Sequence, residues 1–220
     1  MIQLYNDNCF NILPQIPDKS VDLILIDPPY NSTYAKWDEN IDVEKLFKEY
    51  WRVLKDRGNI LVFADCGRFM AKVINNKHYK YTLMWKKNNK TDFLHAQMKP
   101  MNQIETINVF YKKYVYNPQM IPCKKHTVNK HSNSGTYNKL YDVDVSGTEI
   151  KSVMHPTNIL EFNVVSKKIH PSEKPVDLLE WLIKSYSNDD AVVMDTFMGS
   201  GSTGVAAKNL NRDFIRYRNG

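Results

Sequence analysis

Hydrophobic and polar residues follow two different periods along the chain, and these periods predict a series of strands and helices. Continuous runs of branched apolar residues predict strands buried on both faces at residues 23–26, 59–64 and 191–195. Shorter or alternating runs predict three more strands, at residues 2–5, 79–87 and 104–112. The segments between several of these strands have a helical period instead.

In those segments, apolar residues recur at the 3.6-residue period of an amphipathic helix. Asp42 is typical of an N-cap, and the apolar stripe after it predicts a helix through about Leu54, which Gly58 ends. Further helices are predicted at residues 11–16 and 68–75, after Pro175, and after the glycines near residue 201. The order of these elements predicts an α/β sheet with helices on both faces.

The stretch from Val21 to Asn31 places a carboxylate directly after a buried strand. The strand ends in Asp27, because Pro28 and Pro29 can neither donate to a sheet ladder nor continue a strand. Open α/β folds bind ligands at this carboxyl edge of the sheet. A carboxylate, rigid proline carbonyls and the flat ring of Tyr30 together suit an exocyclic amino group on a flat heterocycle. A proline turn that caps a strand is the simpler alternative, but Asp-Pro-Pro-Tyr occurs by chance in about one such chain per thousand.

A second strand ends in a turn rich in glycine. Asp195 closes the strand, and Phe197, Gly199, Gly201 and Ser202 follow it before a helix. Glycines after a strand let the backbone approach a ligand, and the helix offers free N–H groups to a carboxylate. A nucleotide-phosphate loop is the competing interpretation. It would need another acidic residue about 20 residues further on or a Gly-Lys-Ser/Thr lysine, and the sequence has neither.

These two motifs resemble those of the amino-methylating DNA methyltransferases, which use S-adenosylmethionine. The residues Asp27-Pro28-Pro29-Tyr30 are similar to the catalytic motif of that family. The turn that begins at Asp195 is similar to the family's cofactor motif. The catalytic motif comes first, which is the circularly permuted order of the beta subclass. The resemblance covers about residues 2–215 and implies a Rossmann-like methyltransferase sheet, circularly permuted, with an inserted recognition segment.

The same resemblance implies further cofactor-binding residues. The run from His170 to Pro175 is similar to a family motif that holds the methionine end of the cofactor, and Ser172, Lys174 and Pro175 match it. Asp7 stands near the position of a family carboxylate that contacts the adenine of the cofactor. A loop or cap role for Asp7 is an equal alternative.

The sequence departs from the family pattern at two places. Thr196 stands where the family has proline, and after Ile215 the family continues with Gly-Ile-Glu and a terminal helix. The sequence here reads Arg216-Tyr-Arg-Asn-Gly220 instead, so the glutamate that grips the cofactor ribose is missing. This predicts a C-terminally truncated chain, a substitute for the glutamate, or a reduced affinity for the cofactor.

We predict a single methyltransferase domain over residues 1–220, made of a catalytic half at 1–111, a recognition insertion at 112–168 and a cofactor-binding half at 169–220. The insertion contains nine lysines, four acidic residues and several tyrosines, a mixture suited to phosphates and bases. Composition alone favours an ordinary solvated insertion, but the family places DNA recognition at this position. The polar connection at residues 88–103 is long enough to be functional or simply solvated.

Composition excludes several other classes of protein. The apolar fraction of 42% supports a core, and the net charge of +6 permits attraction to a polyanion. Three cysteines argue against a disulfide scaffold, and no run of apolar residues suits a signal peptide or a membrane span. We therefore expect a cytoplasmic protein. Cys123, His126 and His131 match no standard zinc spacing, so no metal is predicted.

The resulting hypothesis is a site-specific DNA methyltransferase that modifies the N6 amino group of an adenine flipped out of double-stranded DNA. Asp27, rather than serine, at the start of the catalytic motif favours adenine. Two alternatives stay open, a cytosine-N4 methyltransferase and a truncated, catalytically weakened relative that binds DNA. A restriction endonuclease is a candidate partner, and oligomeric state is undetermined.

Overall fold

The computed structural model describes residues 2–30, 41–130, 147–168, 170 and 173–218. Its contacts divide the chain into two compact units. The first unit comprises Met1–Asn117 and Asn158–Gly220, and the second comprises Pro118–Thr157.

The first unit contains an eight-stranded sheet. Its strands, in chain order, are β1 (Ile2–Asn6), β2 (Val21–Ile26), β3 (Leu54–Ala64), β4 (Tyr79–Thr91), β5 (Asn102–Tyr111), β8 (Ile159–Glu161), β9 (Val192–Asp195) and β10 (Asp213–Arg218). They lie side by side in the order β1-β10-β9-β2-β3-β5-β4-β8. The pairs from β1 to β3 are parallel, whereas β5 is antiparallel to both β3 and β4. Because parallel neighbours end at one edge, β1, β10, β9, β2 and β3 all present their carboxyl ends on the same side.

Among the described residues, five α-helices cover the two faces of this sheet. They are α1 (Cys9–Ile12), α2 (Val43–Val53), α3 (Arg68–Ile74), α4 (Val176–Tyr186) and α5 (Ser202–Asn209). The first three pack on one face, with Ile24 and Ile60 of the sheet, and the last two pack on the other, with Leu23 and Leu61. Neighbouring residues of one strand thus supply different cores, which explains the continuous apolar runs in the sequence.

The α/β sheet predicted from the sequence is confirmed, but Gly58 was assigned wrongly. The α2 helix ends at Val53, and Gly58 lies inside β3. A Cβ atom built on Gly58 would lie 2.8 Å from the Leu54 side chain and 2.9 Å from the Asp22 carbonyl oxygen. Glycine is therefore needed here for close packing and not to end a helix.

The structure also contains strands that no apolar run indicated. The β10 strand pairs with both β1 and β9, and β8 adds three residues beside β4. In the second unit, β6 (Ile121–Lys130) and β7 (Gly147–Met154) form a two-stranded antiparallel sheet. This unit falls within the segment 112–168 that was predicted to recognise DNA, and that role stays a prediction.

No helix among the described residues is long and apolar enough to cross a membrane. Within the same residues, no three histidine, cysteine or acidic side chains are grouped as a metal ion would require. His131 lies outside the described residues.

Candidate active site

The two sequence motifs meet at the carboxyl edge of the sheet. Asp27 directly follows β2, and Asp195 is the last residue of β9. These strands are hydrogen-bonded neighbours, with Leu23 opposite Val193 and Ile24 opposite Met194. The two loops therefore leave adjacent strands in the same direction, although 168 positions of sequence separate their aspartates (195 − 27).

Both carboxylate oxygens of Asp27 accept a hydrogen bond within the first unit. The Tyr30 hydroxyl donates to Oδ1 at 2.6 Å, and the Lys174 ammonium donates to Oδ2 at 2.5 Å. The side chain of Asp27 retains 19% of its exposure, whereas that of Lys174 retains 10%. Asp27 is thus held in place by a buried cation while part of its carboxylate still faces solvent.

Lys174 also belongs to a larger group of charges. Its Nζ atom lies 3.4 Å from Glu105 Oε2, and Lys87 donates to Glu105 Oε1 at 3.0 Å. Burial opposes ionisation of Glu105, but attraction to Lys174 and Lys87 outweighs it and lowers the pKa of Glu105. Burial likewise opposes the charge on Lys174, but Asp27 and Glu105 raise its pKa. The lowered pKa of Glu105 and the raised pKa of Lys174 both favour the charged forms of these two side chains.

The Tyr30 ring is held by Phe69 of α3. The two rings stack with centroids 5.2 Å apart and an interplanar angle of 29°. Burial, and then the negative charges of Asp27 and Glu105, raise the pKa of Tyr30 well above its ordinary value. Tyr30 is consequently a neutral phenol at physiological pH and serves Asp27 as a hydrogen-bond donor.

Asp195 has a different environment from Asp27. It is 3% exposed, and its carboxylate accepts hydrogen bonds from the Phe197 N–H, at 2.9 Å, and from Thr203. Burial, and to a smaller extent the charge of Asp27, raise the pKa of Asp195 to about 6, although the hydrogen bonds from Thr203 and the Phe197 N–H oppose the shift. The bond to Phe197 closes the turn after β9, so this carboxylate shapes the glycine loop from within.

The glycine loop has the backbone geometry of a ligand cradle. Gly199 (φ +51°) and Gly201 (φ +87°) adopt the left-handed conformation, in which a side chain would be strained. The α5 helix starts at Ser202, and no described side chain caps its first turn, so the N–H groups of that turn can donate to a ligand. Ser202 is nearly buried and hydrogen-bonds Ser200 through its hydroxyl, at 3.1 Å. These features fit the carboxylate end of an amino-acid-like cofactor.

The remaining predicted residues are distributed along the same edge. Pro175 is buried and occupies the N-cap position of α4, directly after Lys174. Asp7 follows β1, which is two strands from β9 because β10 lies between them, and accepts hydrogen bonds from the Asn8 N–H and the Asn11 side chain. Ser172 lies outside the described residues.

Sequence reasoning missed Glu105 and Lys87. Both lie on paired strands, since Trp85 of β4 is opposite Glu105 of β5. A signal for Glu105 was present, because a glutamate inside a predicted strand needs a partner if that strand is buried. The partner Lys174 comes from a distant part of the sequence, however, and only the fold brings it to Glu105.

This geometry defines a class of protein, an α/β sheet with a carboxylate loop and a glycine loop on adjacent strands. The same fold is found in the crystal structure of the M1.HpyAVI–SAM complex, which superposes with a TM-score of 0.65 at 24% identity and covers 100% of this chain and 94% of that chain. At that identity, the likeness establishes the fold.

Sequence comparison then identifies the family. Residues 21–218 match the DNA methylase family (N6_N4_Mtase), and the chain belongs to this family. It is 30% identical to the Type II methyltransferase M1.MboII of Moraxella bovis, covering 97% of this chain and 90% of that protein. It is also 30% identical to the Type II methyltransferase M.BglII of Bacillus subtilis, covering 96% of this chain but 64% of that protein. The resemblance noted from the motifs is confirmed, and the methyl donor of the family is S-adenosylmethionine.

Proposed function

We propose that the protein is a site-specific DNA methyltransferase that methylates the N6 amino group of adenine. The observation that carries the proposal is the position of Asp27, beside a glycine loop on the neighbouring strand. Membership of the DNA methylase family supports DNA as the acceptor. A restriction endonuclease partner stays a prediction.

S-adenosylmethionine supplies an electrophilic methyl group when it is bound. We assign its binding to Asp7, Lys174, Pro175, Asp195, Phe197, Gly199, Gly201 and Ser202, and also to Ser172. The left-handed glycines and the uncapped start of α5 support the assignment, because they suit a ligand carboxylate. Lys174 donates to Asp27, and its charge also acts on Asp195, so it can contribute at the candidate catalytic carboxylate and at the glycine loop.

The chemistry of the acceptor explains the need for Asp27. The lone pair of an aromatic amino group is delocalised into the ring, so the nitrogen is a poor nucleophile. An amino group that donates one N–H to Asp27 and the other to the Pro28 carbonyl recovers electron density on nitrogen. Each carboxylate oxygen has two lone pairs, so Asp27 can accept this bond while Tyr30 and Lys174 remain in place. Positioning of the two reactants contributes most of the rate.

The supporting residues hold the Asp27 carboxylate in a fixed orientation. Lys174 stabilises its negative charge, and the neutral Tyr30 hydroxyl directs the other oxygen. Pro28 and Pro29 fix φ in the loop and leave carbonyl oxygens as acceptors. The Tyr30 ring, held on one side by Phe69, is a candidate surface for stacking of the base.

The amino group of a paired adenine cannot reach a pocket at the edge of a sheet. The base must therefore leave the stack, which costs a few kcal/mol. We assign sequence recognition to the segment 112–168, whose lysines and tyrosines suit phosphates and bases. In the domain assignment proposed here, residues 1–111 form the catalytic half and 169–220 the cofactor-binding half.

Replacing Asp27 by alanine tests the proposal. Because one acceptor of the amino group is lost, we expect methyl transfer to fall by roughly 100- to 1,000-fold, while DNA binding survives. The measurement uses DNA from a methylation-free host that expresses the wild-type or variant chain. Digestion to nucleosides and mass spectrometry then quantify N6-methyladenine and N4-methylcytosine, and gel shifts report DNA binding.

The matched control is Asp56→Ala, because Asp56 is an exposed carboxylate at the amino end of β3, on the opposite edge of the sheet. This variant should methylate like the wild type. Unchanged turnover by Asp27→Ala would refute the catalytic assignment, and N4-methylcytosine in place of N6-methyladenine would establish the cytosine alternative. A wild-type chain that binds DNA but neither methylates it nor binds S-adenosylmethionine in calorimetry would favour the DNA-binding alternative.

A further inference from the structure

The connection between β4 and β5 carries three large apolar side chains in solvent. Phe93, Leu94 and Met98 are 76%, 91% and 84% exposed. Folding normally removes such side chains from water, and they lie together within six residues of a tight turn. We call residues 92–99 the hairpin tip.

Hydrogen bonds and ion pairs fix the backbone conformation of the hairpin tip. Asp92 adopts a left-handed conformation (φ +69°) at its start, and its two carboxylate oxygens bind His95 Nδ1 and Lys99 Nζ, both at 2.5 Å. A short 3-10 helix, Phe93–His95, follows, and the Met98 and Lys99 N–H groups both donate to the His95 carbonyl oxygen. The exposed side chains are thus presented by a defined turn.

The tip lies at the same edge of the sheet as Asp27. The β5 strand runs antiparallel to β3, so its first residues lie beside the carboxyl end of β3. Glu105, three residues after the start of β5 at Asn102, contacts Lys174, which contacts Asp27. Three residues of strand advance by about 10 Å, so the hairpin tip begins about that far beyond the level of the candidate catalytic charges.

The charge of the tip suits a polyanion. Between residues 88 and 101 the sequence contains two lysines, Lys90 and Lys99, and one acid, Asp92. Both oxygens of that acid are bound within the tip, and Lys90 is exposed beside it. Asp92 pairs with Lys99, so the stretch has a net charge of +1, and an approaching phosphate backbone meets a weakly positive surface beside the apolar side chains.

We propose that the hairpin tip is a DNA wedge, in which Phe93 and Leu94 enter the base stack where the target base has left it. This inference rests on the proposed function. A flipped base leaves two neighbours unstacked, and phenylalanine, leucine and methionine are among the side chains that insert between base steps. The tip begins about 10 Å beyond the level of the candidate catalytic charges, ends in exposed apolar side chains and carries a small net positive charge, and a wedge needs all three properties.

The experiment compares Phe93→Ser/Leu94→Ser with the conservative Phe93→Leu/Leu94→Met in the full chain. The probe is a duplex that carries the sequence methylated in expressing cells, with either a normal partner base or an abasic site opposite the target. The serine variant should lose about 10- to 100-fold in kcat/KM on the paired duplex, the effect of losing a stacked group. It should act like the wild type opposite the abasic site, where flipping costs least, and the conservative variant should retain activity on both.

Two further readouts separate a wedge from other roles. A 2-aminopurine at the target position should brighten less with the serine variant, without any cofactor. The salt dependence of DNA binding should be unchanged, because no cation is removed. If the serine variant and the wild type are equally active on the paired duplex, the wedge alone is overturned. The same conclusion follows if the serine variant flips the target base normally but no longer self-associates. A wild-type chain that methylates neither duplex overturns the proposed function and the wedge with it.

Discussion

Two aspartates end neighbouring strands of one sheet, yet their surroundings differ. Asp27 accepts from the ammonium group of Lys174 and remains 19% exposed, whereas Asp195 is 3% exposed and accepts from a backbone N–H and a hydroxyl. A buried carboxylate with neutral donors resists ionisation, and the pKa of Asp195 is raised to about 6. Both aspartates lie at the carboxyl edge of the sheet, where a ligand can reach them. Their hydrogen-bond donors and burial then determine whether the carboxylate is suited to catalysis or to shaping a loop.

The largest expected effect comes from removing the cation beside Asp27. Lys174→Met leaves Asp27 and Glu105 without a shared counter-charge, and breaking a buried pair costs about 3–5 kcal/mol in the free energy of unfolding. Urea denaturation at pH 7 measures it. The matched control is Lys86→Met on β4, whose exposed pair with Glu161 is worth about 0–1 kcal/mol.

A second substitution shows whether the charges form one unit. If they do, Lys174→Met/Glu105→Gln should recover part of the stability lost in Lys174→Met, because one of the two carboxylates is then neutral. Strict additivity of the two losses would contradict a shared group of charges.

A smaller effect is expected from neutralising Asp195. Its folded-state pKa, about 6, exceeds the model-peptide value of 3.8, so its contribution to stability is fully present below about pH 4 and is lost as pH rises through 6. Asp195→Asn removes that loss while keeping an acceptor for the Phe197 N–H. We expect the variant to be more stable than the wild type by roughly 1–3 kcal/mol at pH 7.5 and to lose this advantage at pH 4.

Denaturant midpoints at pH 4, 5, 6 and 7.5 measure the difference. Asp190→Asn is the control, because Asp190 is exposed and its left-handed backbone (φ +59°) also suits asparagine. An advantage of Asp195→Asn that does not change with pH would show that its cause is not ionisation of Asp195.

The smallest effect is expected at Tyr30. Tyr30→Phe removes the hydroxyl that donates to Asp27 but keeps the ring stacked on Phe69, so the free energy of unfolding should fall by about 1 kcal/mol. Tyr30→Leu also removes the ring and should cost a further 0.5–1.5 kcal/mol or so. Equal stability of the two variants in urea denaturation would show that stacking on Phe69 contributes nothing.

Local sequence patterns predicted the helices and the central strands because each depends on neighbours a few residues away. Asp42 caps α2 as expected, with its carboxylate accepting from the Lys45 N–H. The β8 and β10 strands gave no comparable signal. The β8 strand has three residues, and three of the six residues of β10 are charged, so neither forms an apolar run; both are defined by their pairing with strands distant in sequence, such as β4 and β9.

By itself, the sequence determined the alternation of strands and helices and the placement of Asp27 and Asp195 at the ends of buried strands. These follow from apolar period and from proline and glycine chemistry, which act over a few residues. Only the tertiary structure decided that β2 and β9 are neighbours, that Lys174 stands between Asp27 and Glu105, and that Phe93 and Leu94 remain in solvent. Those relations join residues far apart in the chain, and their energies exist only after the strands pair and the helices pack.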